Sequence, residues 1–268
     1  MTEILVIQNA AVEGIGQLGK MLENDGYTLK TINAKQEKIP QKKFPFLIIL
    51  GSPDSVNDNL SHFADELKLV KDYVSENIPV LGICLGSQLL AKAFGSKIYR
   101  GEKKEVGFYH DIIPENQNQS KIFSNFTKPF SVFHWHNETF DLPKHAIRLA
   151  SSINYPNQAF KIGSAVGIQF HLEIDESTIN LWLNTTKEDI SNKHVQNVKD
   201  EIPKYLTVIE GNMTNFYKNL KISMENNQIL KFEIVSVVHT QYLNSLNLIC
   251  LFSIEIFIFY ENVFLLSK

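Results

Sequence analysis

The sequence predicts an α/β fold: a doubly wound, mostly parallel sheet with helices on both faces and a small mixed or antiparallel part. Three observations carry this expectation. Short continuous apolar runs, Ile4–Ile7, Phe46–Leu50 and Val80–Ile83, have the length and texture of parallel strands buried on both faces. Helical apolar spacing separates them, in the order strand, helix, strand, strand, helix, strand, helix. Two of the runs end in glycine turns, at Gly51 and around Cys84, where the carboxyl ends of strands in such sheets gather reactive groups.

Taken in order, residues 3–8 read as the first strand, and Leu18, Met21 and Leu22 mark a helix closing near Gly26. Tyr27–Ile32 is the second strand and Phe46–Leu50 the third. Leu60–Val74 is helical, Pro79–Cys84 is the fourth strand, and a helical pattern follows the cysteine through Ala93. From Ile98 to about Phe170 the texture changes to short strands and turns: Glu105–Ile113, Phe130–His134, Ile147–Ser151, Gln158–Ile162 and Ala165–Phe170. Asp175 has the residue type and position of an N-cap for a helix reaching Trp182. Tyr205–Leu220 is a further helix.

With 268 residues, 44% hydrophobic and 21% charged, the chain has room for one large α/β domain plus an appendage. The expected division is 1–221 for the domain and 222–268 for an apolar extension. The extension contains neither Gly nor Pro, and Glu255 and Glu261 interrupt its apolar run below the ~20 residues a bilayer needs, so a membrane span is not expected. A net charge of −3 gives no footprint for nucleic acid. Two cysteines, Cys84 and Cys250, imply no disulfide framework, and the N-terminus has no secretory pattern, so a cytoplasmic protein is expected.

Gly14–Lys20 spells both G-x-G-x-x-G and G-x-x-x-x-G-K, yet neither has its context. Met21 stands where a phosphate loop needs Ser or Thr, and the second strand ends in Asn33-Ala34 without an acidic residue. A glycine-rich helix start is the better reading. No nucleotide cofactor is expected.

Gly82-Ile83-Cys84-Leu85-Gly86 places a thiol at a sharp strand-to-helix turn. Small neighbours let the two elements meet, and the following helix N-terminus favours thiolate. A nucleophilic cysteine also needs a base held by a third group. Of eight histidines, His171 follows the apolar run Val166–Phe170, and Glu173 lies two positions on; in extended backbone that spacing shares a face. His134-Trp135-His136 also puts two imidazoles on one face, but no third ligand stands at a telling spacing, so no metal is expected.

Gly51-Ser52-Pro53-Asp54-Ser55, Gly82–Gln88 and Gly167–Glu173, in that order, resemble the class I glutamine amidotransferases with their Cys-His-Glu triad. The resemblance spans residues 3–185 and extends toward 221. His134–Pro143 and Leu149–Phe160 are similar to the stand-alone subgroup related to the amidotransferase part of GMP synthase. It implies a flavodoxin-like sheet and hydrolysis of the glutamine side-chain amide to glutamate and ammonia through a γ-glutamyl thioester. Carried over, Cys84 attacks, His171 moves the proton and Glu173 orients His171. The resemblance also implies oxyanion donors at the backbone of Leu85 and of Gly51 or Ser52, and contacts to substrate glutamine from Gln88 and the backbone around Trp135. It implies no cofactor or metal. With no ATP site in the chain, any ATP-dependent synthetase partner is a separate polypeptide.

Two positions depart from the family pattern: Leu172 stands where proline usually separates the His and Glu, and Ser52 replaces a glycine. A freer backbone at Leu172 implies a slower or partner-activated enzyme. The same site could instead serve another γ-glutamyl amide or peptide, or the fold could form a catalytically silent regulatory subunit.

Overall fold

A computed structural model describes residues 2–186 and 190–224. Its nine strands form one open sheet: β1 (Glu3–Gln8), β2 (Thr28–Asn33), β3 (Leu47–Ile49), β4 (Val80–Ile83), β5 (Ile98–Pro114), β6 (Phe130–Phe140), β7 (Ile147–Ser151), β8 (Ala159–Ile162) and β9 (Ala165–Ile168). Their spatial order is β2-β1-β3-β4-β9-β8-β7-β5-β6. The first five in that order pair in parallel, and the remaining pairings are antiparallel.

The parallel part is covered on both faces, as its uninterrupted apolar strands require. Along β1, Ile4 and Val6 enter one core cluster while Leu5 and Ile7 enter the other. This is the two-residue alternation of a strand whose two sides are both dry. Helices α1 (Gly16–Asn24), α2 (Ser61–Ser75), α3 (Leu85–Ala93) and α4 (Glu176–Thr185) agree closely with their sequence signals. Asp175 caps α4, its carboxylate accepting from the Thr178 backbone N–H at 3.0 Å.

Three elements are longer than the sequence pattern suggests. Strand β5 begins at Ile98 and β6 runs to Phe140, because they pair as a long hairpin from Ile98↔Phe140 to Ile112↔Phe130. Polar residues such as Arg100 and Lys103 conceal β5's first half, and a register shift between Arg100 and Glu105 breaks its periodicity. The last helix, α5, spans 192–224 and absorbs the charged stretch before Tyr205. Val198, Ile202, Ile209, Met213, Phe216 and Leu220 form its buried stripe at helical spacing, with the charges outside it.

Residues from 225 onward, most of the expected apolar extension, lie outside the described residues. Among the described residues no helix is long and apolar enough to cross a membrane.

Candidate active site

The carboxyl ends of β3, β4 and β9 meet at Cys84. The cysteine has φ +52° and ψ −111°, a backbone conformation that side-chain-bearing residues rarely adopt. Its N–H donates to the Ile168 carbonyl at 2.8 Å, which fixes the elbow to β9. The flanking glycines are required by contact. A Cβ on Gly82 would lie 2.5 Å from the Gly86 carbonyl oxygen, and one on Gly86 would lie 2.1 Å from the Ile49 carbonyl oxygen.

His171 and Glu173 emerge just past β9, and an isolated antiparallel bridge to Phe133 holds the histidine's backbone. His171 Nδ1 lies 2.6 Å from Glu173 Oε1, while Oε2 of the same carboxylate accepts from the Leu172 N–H at 3.0 Å. Thus the Leu172 backbone donates to the very carboxylate that orients the histidine. The imidazole ring packs edge-on against Trp182, with centroids 4.9 Å apart. Its Nε2 is buried and makes no hydrogen bond of ordinary geometry. Burial alone would depress the His171 pKa; the Glu173 carboxylate, assisted by the Cys84 sulfur, overrides it and holds the imidazole well above its ordinary range.

The thiol has two further neighbours. Cys84 Sγ lies 3.9 Å from the Trp135 carbonyl oxygen and 3.7 Å from the Gln169 side-chain nitrogen. Gln88, expected to contact substrate, lines the pocket, but its amide nitrogen donates to Gln169 Oε1 at 3.1 Å and to the Glu138 carbonyl at 3.3 Å. The geometry therefore places Gln88 in a chain leading to the sulfur through Gln169.

Gly51 adjoins the elbow: a Cβ there would stand 3.4 Å from that of Cys84. Ser52 Oγ donates to Asp54 at 2.6 Å, and Asp54 pairs with Lys35 at 2.6 Å, so this turn is held by its own side chains. Leu85 opens α3, whose first N–H groups lack intrahelical acceptors. The pocket has a volume of about 510 Å³, within the range of small-ligand sites. Ser52, Cys84, Leu85, Gln88 and Trp135 all line it.

Two residues at the site were not among those the sequence singled out for it. Glu13, just past the end of β1, lines the pocket, and its carboxyl packs against Gly51. Burial raises its pKa to about 7, with His171 lowering and Glu173 raising it. Its position beyond the carboxyl end of a parallel strand was the available signal. Gly16, part of the glycine string at the helix start, has φ +52°, and a Cβ there would meet the Glu173 carbonyl oxygen at 2.1 Å. That carbonyl accepts from the Gln17 N–H at 2.7 Å. The string is a helix start shaped to the backbone of Glu173.

The third residue that the sequence did not offer to His134 and His136 is Glu105, which β-pairing sets opposite His136.

The open α/β sheet thus carries a strand-end thiol elbow beside a buried His–Glu pair. The family model for class-I glutamine amidotransferase matches residues 14–182, and the chain belongs to this family. It is 28% identical to the glutamine amidotransferase-like protein YfeJ of Salmonella typhimurium, over 69% of this chain and 81% of the relative. It is 32% identical to one subunit of the glutamine-hydrolyzing GMP synthase of Thermococcus kodakarensis, over 64% of this chain and 89% of the relative. A solved glutamine amidotransferase from Thermotoga maritima superposes with a TM-score of 0.75 and 29% identity, covering 84% of this chain and 98% of its own. The chain is thus an enzyme of the glutamine amidotransferase class, similar to the amidotransferase subunits of GMP synthases.

Proposed function

We propose that this protein hydrolyses the side-chain amide of glutamine through a γ-glutamyl thioester on Cys84 and supplies the ammonia to a separate ATP-dependent synthetase. The observation that carries the reading is the Cys84 elbow beside a histidine whose Nδ1 is held by Glu173 and whose Nε2 is free of other hydrogen bonds. In this reading His171 Nε2 takes the thiol proton as Sγ attacks the amide carbon. The resulting oxyanion lies against backbone N–H groups of Leu85 and of Gly51 or Ser52. The C–N bond breaks as His171 returns the proton to nitrogen, and ammonia leaves. Water then attacks the thioester, giving its proton to His171, and the C–S bond breaks to release glutamate and restore the thiol.

A synthetase partner is supported by the likeness to a subunit of the glutamine-hydrolyzing GMP synthase of Thermococcus kodakarensis, 89% of which the chain covers. A catalytic unit ending at 221–224, with the following residues as an appendage, belongs to the same reading. Helix α5 and its buried Met224 favour the later limit.

Ammonia release from glutamine by the purified chain, beside Cys84→Ala, tests the chemistry. Loss of about 10⁴-fold or more is expected in the variant. Equal rates from both, with and without candidate synthetases, would sink the glutaminase reading. Turnover of other γ-glutamyl amides in place of glutamine would instead reassign the substrate. For the boundary, a chain ending after Met224 is expected to remain folded and soluble, and aggregation would contradict the appendage.

A further inference from the structure

A second cluster of titratable side chains lies outside the machinery just described. Glu105 projects from β5, and His134 and His136 from one face of β6, with Glu105 paired opposite His136. Each residue offers one ligand atom, and these atoms all lie within 4.8 Å of one another. Glu105 Oε2 is 2.9 Å from His136 Nε2 and 3.6 Å from His134 Nε2. Glu105 and His134 are wholly buried and His136 nearly so.

Hydrogen bonding leaves this cluster incompletely satisfied. Both ring nitrogens of His134 are buried without a hydrogen-bond partner, a costly state for a polar side chain in a dry interior. His136 Nδ1 faces the Glu138 carbonyl oxygen at 3.0 Å. A carbonyl only accepts, so Nδ1 carries the hydrogen and Nε2 is the atom directed at the carboxylate. An imidazole tied through one nitrogen to a backbone carbonyl and presenting the other beside a carboxylate is the arrangement of a metal-ligating histidine. Glu105 is itself oriented from behind, by Asn154 at 2.8 Å on Oε1 and Gln158 at 3.2 Å on Oε2.

The spacing fits a small divalent ion. Donor atoms bound at about 2.0–2.1 Å in a tetrahedral shell stand roughly 3.3 Å from one another. The two separations to Glu105 Oε2, 2.9 and 3.6 Å, bracket that value, and the whole set lies within 4.8 Å, so His134 and His136 would close slightly on the ion. Two imidazoles and one carboxylate suit zinc and its first-row neighbours rather than calcium or magnesium, which take oxygen shells.

We propose that Glu105, His134 and His136 bind one divalent transition-metal ion, of which zinc fits best, and that it has a structural role. The ion ties β5 to β6 beside the pocket, whose lining includes His136. It fixes the strand segment whose Trp135 carbonyl faces the Cys84 sulfur and whose Glu138 carbonyl accepts from Gln88. The inference rests on the buried cluster alone and stands whatever substrate Cys84 attacks.

The test uses the full chain, free of any affinity tag and carrying Cys84→Ala so that the pocket thiol cannot capture metal. The protein is loaded with zinc or cobalt, dialysed against metal-free buffer, and assayed by elemental mass spectrometry and X-ray absorption. One ion per chain is expected, in a nitrogen and oxygen shell with imidazole scattering at about 2.0 Å. Loss of a second-shell partner alone weakens metal sites by 10–100-fold, so Glu105→Gln and His134→Gln are each expected to weaken binding by about a hundredfold or more. Retention far below one ion per chain, sulfur in the shell, or binding unchanged in variants shown by circular dichroism to be folded would overturn the proposal. The absorption spectrum of the intact ligand set decides the matter if those variants fail to fold.

Discussion

Two buried histidine–carboxylate groups lie among the described residues, and they differ in what each leaves free beside the histidine. At His171 the carboxylate engages Nδ1 and leaves Nε2 free of other hydrogen bonds on the side of a thiol. At His136 both nitrogens are engaged, one by the Glu138 carbonyl and one by Glu105. Both groups are buried. What differs is whether a ring nitrogen remains available next to an atom that can give up a proton.

The sharpest way to break the comparison is to remove each group in turn. His171→Ala is expected to lower ammonia release by about 10⁵-fold or more while leaving the fold intact, read from kcat/KM and circular dichroism. A loss below tenfold would move the base elsewhere. Glu105→Gln should do the reverse, costing about 3–5 kcal/mol of stability by urea unfolding, because it uncouples a buried ionic group. Labelling of Cys84 by a glutamine-like electrophile should survive in that variant under native conditions.

A third experiment concerns the His171–Glu173 pair. The folded protein raises the His171 pKa above the ordinary value of 6.5, so the pair's contribution to stability is fully present below that pH. It fades as pH rises through the higher folded-state value. The stability gap between the native chain and Glu173→Gln is therefore expected to be larger near pH 6 than at alkaline pH; a gap widening with pH would contradict the assignment. The smallest effect is expected at Glu13, whose carboxyl titrates near 7 beside Gly51. Its anion disfavours a developing oxyanion there, so kcat/KM should decline above about pH 7. Glu13→Gln should remove that inflection, changing rates by about tenfold or less.

Much of the site's outline was legible because it is written in local constraints. Cys84 sits between glycines at the end of an apolar run, and His171 and Glu173 are two residues apart, so strand geometry alone suggests their shared face. The parallel strands were legible for the same reason, since burial on both faces demands uninterrupted apolar residues. The first half of β5 was not, because its exposed polar residues are held by pairing with β6 rather than by a pattern of their own. The glycine string reads correctly as a helix start, but the sequence does not show that Gly16 serves the Glu173 backbone, 157 residues away.

The sequence by itself determined the sheet class, the cysteine's elbow and the His–Glu spacing, because each depends on residues that are neighbours in the chain. Tertiary structure alone decided which distant groups meet them. It brought Glu13 against Gly51, routed Gln88 through Gln169 to the sulfur, and set Glu105 opposite His136. Such contacts follow from strand order and register across the sheet, which a linear pattern of residue types does not encode.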